Sequence, residues 1–165
     1  MSPERCWRSA ADARVDRAAI LALNRGDEKN LSPIDDAALG ELLEKAFHVS
    51  LRDEGRTAFL IAFDQNADYG SPNFVWFKMR FARFVYVDRL VVAPGARGRG
   101  IAKSMYEEVF GVARRAGHTL VTCEVTAEPP NPLSDALHAS LGFHEIGRAI
   151  VYNGKQTVRY LSKEL

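Results

Sequence analysis

Apolar residues recur at helical spacing over Val15, Ala18, Ala19, Ala22 and Leu23, which predicts a helix with Asp12 as its N-terminal cap. The run Asn24-Arg25-Gly26-Asp27 breaks it. A second helix is predicted from Ser32 as cap and Pro33 in the first turn, with Asp35 and Asp36 near its positive end. Its apolar face is Leu39, Leu42, Leu43 and Ala46. The period then shortens to that of strands. Val49 to Arg52 and Thr57 to Phe63 read as two strands joined through Asp53-Glu54-Gly55. The second is apolar almost throughout, as a strand covered on both faces must be. A short first strand is predicted over Glu4 to Arg8.

Asp64 to Arg83 departs from both periods. It opens on turn residues (Asp64, Asn66, Gly70, Pro72) and continues with Phe74, Trp76, Phe77 and Phe81. It reads either as an aromatic lid on the core or as a loop and short helix shaping a pocket. Phe84 to Val92 is the strongest strand pattern in the chain. Ile101 to Ala116 is a helix with the apolar stripe Ala102, Met105, Val109, Val112 and Ala113, ended by Gly117. Thr119 to Thr126 reads as a strand, and Pro132 to Leu141 as a short helix ended by Gly142. Ala149 to Tyr152 and Thr157 to Leu161 form a hairpin around Asn153-Gly154. This order predicts an α/β fold of the mixed α+β kind, antiparallel in its front half and with one crossover.

Composition narrows the class further. The 165 residues suit one domain, residues 1–165. With 47% hydrophobic and 26% charged residues, the chain is neither disordered nor a coiled coil. Its formal net charge of +1 gives no overall attraction to nucleic acid or to a membrane surface. Cys6 and Cys123 stand far apart and outside any CxxC pair, so neither a zinc site nor a redox motif is expected. The start of the chain lacks the apolar run of a signal peptide, and no stretch is long enough to span a membrane. A cytoplasmic protein is the expectation.

The chemistry concentrates in Val91-Val92-Ala93-Pro94-Gly95-Ala96-Arg97-Gly98-Arg99-Gly100-Ile101-Ala102. A strand ends, a Gly- and Arg-rich loop follows, and a helix begins at once. Glycines let backbone N–H groups turn toward an anion. The helix start adds unpaired N–H groups and a positive dipole end, and Arg97 and Arg99 add charge. Such a loop cradles a diphosphate. It is not a P-loop, because no Gly-Lys-Ser/Thr follows, and it is not GxGxxG. The plainer reading is a solvated basic turn.

Arg97-Gly98-Arg99-Gly100-Ile101-Ala102 resembles the Arg/Gln-x-x-Gly-x-Gly/Ala signature of the GCN5-related N-acetyltransferases (GNAT). The resemblance continues in register on both sides. Asp88 to Pro94 looks like the family's fourth strand, and Cys123-Glu124-Val125, Asn131 and Leu141-Gly142-Phe143 look like its fifth strand and following helix. It covers Phe84 to Leu165 well and the front half only in element order. It implies a GNAT-like fold: a central mixed, mostly antiparallel sheet of about seven strands flanked by about four helices. It also implies acetyl-CoA (coenzyme A) as cofactor, with the pyrophosphate on Arg97, Gly98, Arg99, Gly100, Ile101 and Ala102. The pantetheine arm would pair with the backbone of Leu90, Val91 and Val92, and Asn131 would touch the arm. Asn131 also suits a helix cap before Pro132.

The implied reaction is direct acyl transfer to a primary amine, which must lose a proton before it attacks. Alternation places Thr122, Glu124 and Thr126 on one strand face, opposite Cys123 and Val125. Glu124 sits where some family members carry a glutamate and is the expected base, with Asp88 and Tyr86 as rivals. The family commonly places a Tyr four residues before the Gly of Leu141-Gly142-Phe143; here that position is His138. The imidazole is the expected acid, or a structural substitute where solvent protonates the thiolate. Asp27, Glu28, Asp64, Asp68 and Asp88 are candidates for an acidic acceptor lining, and Tyr69, Phe74 and Trp76 for aromatic walls. Small amines, peptide N-termini and lysine side chains all remain open as acceptors. The resemblance admits a homodimer joined through the C-terminal strands. The competing class is a non-catalytic acyl-CoA-binding module, favoured by His138 in place of Tyr and opposed by Glu124 and Asn131.

Overall fold

The computed structural model describes residues 15–165. Two helices, α1 (Arg17–Gly26) and α2 (Asp36–Lys45), precede strands β1 (His48–Arg52) and β2 (Ala58–Asp64). Helix α3 (Pro72–Lys78) leads into β3 (Val85–Val92), and α4 (Ile101–Arg115) into β4 (Leu120–Thr126). Helix α5 (Pro132–Ser140) and the hairpin β5 (His144–Val151) and β6 (Gln156–Glu164) complete the chain. The described residues form one six-stranded sheet in the order β1-β2-β3-β4-β6-β5. Only β3 and β4 are parallel, joined by the crossover through α4; every other pair is antiparallel. The expected strand at Glu4 to Arg8, the cap Asp12 and Cys6 lie outside the described residues.

Helices cover both faces of the sheet. One face carries Phe59, Ile61, Phe63, Tyr86, Val91 and Tyr160 against Ile20 of α1, Leu39, Leu42 and Leu43 of α2, and Phe74 and Phe77 of α3. The other carries Leu60, Val85, Val87, Val121, Cys123 and Val125 against Met105, Tyr106, Val109 and Phe110 of α4. Strand β2 feeds both cores, which is why it is apolar at nearly every position.

Local details differ from the sequence expectation at three places. Asp16, not Asp12, caps α1: its Oδ1 accepts from the Ala19 N–H at 3.0 Å. Asp35, not Ser32, caps α2 through the Ala38 N–H at 2.8 Å. Ser32 is spent on Arg89 instead, its Oγ accepting at 3.3 Å. The hairpin strands are longer than expected, because β5 is an edge strand whose exposed His144, Glu145 and Arg148 hide its alternation.

The Asp64 to Arg83 segment does both things its composition suggested. Phe74 and Phe77 of α3 are fully buried. Trp76 stacks on Tyr160 with ring centroids 4.2 Å apart, and the Arg80 guanidinium caps the outer ring face at 3.7 Å. Gly147 on β5 makes room for that indole, since a Cβ there would lie 2.5 Å from Trp76. Fixed in this way, α3 turns Asn73 toward the sheet centre.

Two irregularities of β3 shape everything that follows. The first is a bulge opposite Ile61 and Ala62, which pair with Arg89 and Val87 and leave Asp88 as the extra residue. A bulge resets strand alternation. Asp88 and Arg89 therefore both serve the α1–α3 face, although they are consecutive. The second is a splay. β3 and β4 pair only over Val85–Val121, Tyr86–Thr122 and Val87–Cys123. Beyond these pairs the strands separate, and the backbone from Asp88 onward has no β4 partner.

Candidate active site

A cavity of about 580 Å³ occupies the splay. It is lined along β3 by Leu90, Val91 and Val92, on the α4 and α5 side by Arg97, Gly98, Gly100, Ile101, Ala102, Tyr106, Cys123, Asn131 and His138, and on the opposite side by Asp27, Tyr69, Asn73, Asp88, Glu124 and Tyr152. One void therefore passes through the sheet and joins the two faces.

The cradle end takes its form from two glycines. Gly98 and Gly100 have φ of +77° and +75°, the left-handed region that costs an L-residue about 1–2 kcal/mol. No side chain caps α4, whose cap residue is Gly100 itself. Its first N–H groups are thus left for an anion. Arg97 is exposed and anchors the loop, its Nε donating to the Val92 carbonyl at 3.3 Å. These features fit the diphosphate of the expected cofactor. Leu90 to Val92 pair with β2 on one side only, and their β4-facing edge fits an extended amide-bearing arm. Asn131 borders the void and also caps α5, its Oδ1 accepting from the Ser134 N–H at 3.2 Å. Arg99 is exposed and stands outside the lining.

At the far end two carboxylates meet. Asp88 accepts from the Tyr69 hydroxyl at 2.7 Å and from Arg89 Nε at 2.7 Å. The Arg89 guanidinium is buried and also engages Asn24 Oδ1 at 2.9 Å and Ser32. Glu124 faces the cavity and is otherwise enclosed. Its Oε2 accepts from the Tyr86 hydroxyl at 2.6 Å, and its Oε1 from Asn73 Nδ2 at 3.2 Å. Asn73 is in turn oriented by the Tyr160 hydroxyl, which donates to its Oδ1 at 2.9 Å. Burial, reinforced by the charge of Asp88, pushes the Glu124 carboxyl up to about 8, against the pull of the Tyr86 hydrogen bond. A carboxylate with that proton affinity takes a proton from an ammonium far more readily than one at the ordinary value of 4.5.

His138 is buried at the cavity wall with both ring nitrogens engaged: Nε2 lies 2.7 Å from the Tyr106 hydroxyl and Nδ1 2.7 Å from the Ser134 carbonyl oxygen. Burial holds its pKa below the ordinary value. The imidazole offers no N–H to the cavity in this state.

Of the proposed acceptor residues, Asp27, Asp88 and Tyr69 line the void; Glu28, Asp64, Asp68, Phe74 and Trp76 do not. Phe74 and Trp76 belong to the packing of α3. Sequence reasoning missed Asn73, Arg89, Tyr106 and Tyr152. Tyr106 had a usable signal: it lies four residues after Ala102 and three before Val109, on the buried stripe of its helix.

A profile of the acetyltransferase (GNAT) family matches residues 36–143, and the chain belongs to that family. No curated protein sequence matches it significantly. Solved structures share its fold at low identity. One is the NatC complex bound to Gag peptide and CoA, with TM-score 0.68, 19% identity and 90% of each chain covered. A second is the ribosomal-protein-alanine N-acetyltransferase from Brucella melitensis, with TM-score 0.66, 22% identity, and 91% of this chain and 94% of that one covered. A third is yncA from Salmonella typhimurium with its cofactor acetyl-CoA, with TM-score 0.61, 18% identity, and 90% of this chain and 88% of that one covered. The matched residues include both the cradle end of the cavity and Glu124. No described helix is long and apolar enough to cross a membrane.

Proposed function

We propose that the protein is an acetyl-CoA-dependent N-acetyltransferase acting on a primary amine by direct attack. The observation that carries this reading is the continuous cavity through the β3–β4 splay, with the uncapped N-terminus of α4 at one end and Glu124 at the other. Acetyl-CoA supplies an acyl group activated as a thioester. Gly98, Gly100 and the first turn of α4 bind its diphosphate, Arg97 adds charge beside it, and the free edge of Leu90 to Val92 orients its arm toward Asp88 and Glu124.

The acceptor enters on the α1–α3 side. Asp27, Asp88 and Glu124 line this end, and its one cation among the described residues, Arg89, is already engaged with Asp88, Asn24 and Ser32. The local field favours a cationic amine. Glu124 takes the amine proton directly or through one water, and Asn73 and Tyr86 hold both its oxygens for that step. Peptide and protein N-termini head the acceptor classes to be tried, since two of the fold's relatives are a complex with bound peptide and a ribosomal-protein-alanine N-acetyltransferase.

Free-thiol release from acetyl-CoA, measured over peptides, lysine-bearing peptides, polyamines and small alkylamines, tests the proposal. The expected result is amine-dependent thiol release with at least one class. Acetyl-CoA binding with no thiol release across all classes would leave a non-catalytic acyl-CoA-binding module.

A further inference from the structure

The wall of the cavity opposite Glu124 holds a second polar arrangement. Tyr106 stands on α4, the helix that opens at the cradle, and borders the void beside Cys123 and His138. The Ser134 carbonyl oxygen can only accept, so His138 Nδ1 carries the proton, and the Ser134 hydroxyl lies 3.3 Å from the same nitrogen. Nε2 of the neutral ring is then the acceptor for the Tyr106 O–H at 2.7 Å. This tautomer is assigned from the hydrogen-bond network. Phe143 packs edge-on against both rings, with centroids 5.6 Å from Tyr106 and 5.4 Å from His138. Both rings are thereby fixed in place.

The position corresponding to the family's tyrosine is thus filled by a histidine at the cavity wall whose two ring nitrogens are both engaged by protein groups. A phenol from the preceding helix is brought to the same wall. We propose that Tyr106 donates a hydrogen bond to the departing coenzyme A sulfur, and that His138 is a positioning residue that holds the Tyr106 hydroxyl. This rests on the acetyl-transfer reading, and it replaces the expectation that the imidazole itself supplies the proton.

The sheet separates the two polar jobs. Glu124, Asn73 and Tyr86 lie on the α1–α3 face, where the amine arrives. Tyr106 lies on the α4 face, from which the cofactor arm enters. As the N–C bond forms and the thioester C–S bond breaks, the amine proton passes to Glu124 and the electron pair leaves on sulfur. The Tyr106 O–H rotates from Nε2 to that thiolate and keeps its proton. Solvent then protonates the released thiolate to the thiol and takes the proton from Glu124. Burial holds the phenol well above its ordinary pKa, which suits a hydrogen-bond donor that does not ionise. The charged and titratable groups around the pair are Cys123 and Glu124 on the Tyr106 side, and Asp135 of α5 and Arg159 of β6 on the His138 side.

The test reads the ionisation of the coenzyme A thiol bound to the protein, by ultraviolet absorbance of the thiolate, in the parent and in Tyr106→Phe, His138→Phe and His138→Gln. A charge-assisted hydrogen bond lowers the bound thiol pKa, and losing it in Tyr106→Phe should raise that pKa by about one unit. His138→Phe should raise it in the same direction. His138→Gln, whose amide oxygen still accepts from the phenol, should restore part of the difference. The double variant Tyr106→Phe/His138→Phe should go no further than Tyr106→Phe alone. In turnover, Tyr106→Phe should lower kcat about tenfold at an unchanged KM for acetyl-CoA. A Tyr106→Phe thiol that titrates with the parent's would overturn the proposal, whether or not His138→Phe moves; if it does, the imidazole acts directly. Failure of the folded parent to bind coenzyme A at all would instead overturn the acetyl-transfer reading, and this proposal with it.

Discussion

Glu124→Gln should lower kcat by about 10²- to 10⁴-fold, the usual yield of a positioned general base, while acetyl-CoA binding stays at the parent's level. The amide keeps an oxygen for the Tyr86 or Asn73 hydrogen bond, so the side chain has no reason to leave its place. The pH profile gives the sharper signature. The carboxyl must be ionised to act, so kcat/KM in the parent should rise with pH through an apparent pKa of about 8, where burial and Asp88 place Glu124. In the variant that limb should vanish, and the rate should climb toward the amine's own pKa near ~10.4.

Stability should move in the opposite direction. The folded state holds the Glu124 proton up to about pH 8, whereas the unfolded chain releases it near 4.5. The native state therefore binds more protons across that window, and stability falls as pH rises from about 4.5 to about 8. Glu124→Gln removes the penalty. The variant should melt higher than the parent above pH 8 and close to it below pH 4. An active site that holds an ill-solvated carboxylate commonly trades stability for function in this way. A parent-like kcat in Glu124→Gln would transfer the base to Asp88.

The second large effect is expected at Arg89. Its side chain and that of Asp88 are 3% and 4% exposed, so removing one partner strands the other. Arg89→Leu should cost about 3–5 kcal/mol. At about 2–4 °C per kcal/mol for a chain of this size, the melting point should fall by about 6 to 20 °C. Asp88→Asn/Arg89→Leu should recover much of that loss, because the Asn carbonyl still accepts from Tyr69 and no lone charge remains. Arg89 also pulls the Glu124 pKa down, so folded Arg89→Leu protein should show its activity limb shifted to higher pH. Thermal melts of the single and double variants decide the point. Parent-like melting of Arg89→Leu would contradict the buried ion pair.

These two sites differ in how far they could be read beforehand. The strand face of Glu124 follows from alternation along an unbroken strand, with Cys123 and Val125 in the opposite core as expected, whereas its assignment as base came from the resemblance. The loop geometry of Arg97 to Ala102 was legible because its parts are contiguous: a strand end, left-handed glycines and a helix start; that Arg99 stands outside the cavity lining was not. Asn131 was legible as a helix cap from the Asn-Pro pair before α5, while its contact with the cofactor arm came only from the resemblance. Arg89 was not legible, because the bulge at Asp88 breaks the period on which strand reading depends. Ser32 looked like a helix cap, since Ser-Pro before an acidic turn carries that signal, yet Asp35 took the cap and released Ser32 to the guanidinium. Asn73 reaches Glu124 across 51 residues of chain, and Tyr106 reaches His138 across 32. Contacts of that separation are set by the packing of α3 and α4 on the sheet, which no local pattern encodes.

Everything proposed at this site depends on the splayed strands and the N-terminus of α4 holding acetyl-CoA. A thermal-melt titration with acetyl-CoA, run on the parent and on Gly100→Val, tests it most directly. Apart from its chain neighbours, nothing lies within 4 Å of a Cβ built at Gly100, so the added side chain meets open space in the fold. It fills the cradle and strains a backbone at φ +75°. A ligand at a hundredfold excess over its dissociation constant adds about 2.7 kcal/mol to the folded state, which should raise the parent's melting point by about 5 to 10 °C. The account predicts that rise in the parent and its loss in Gly100→Val. No rise in the folded parent at millimolar acetyl-CoA, or an equal rise in both proteins, would contradict it.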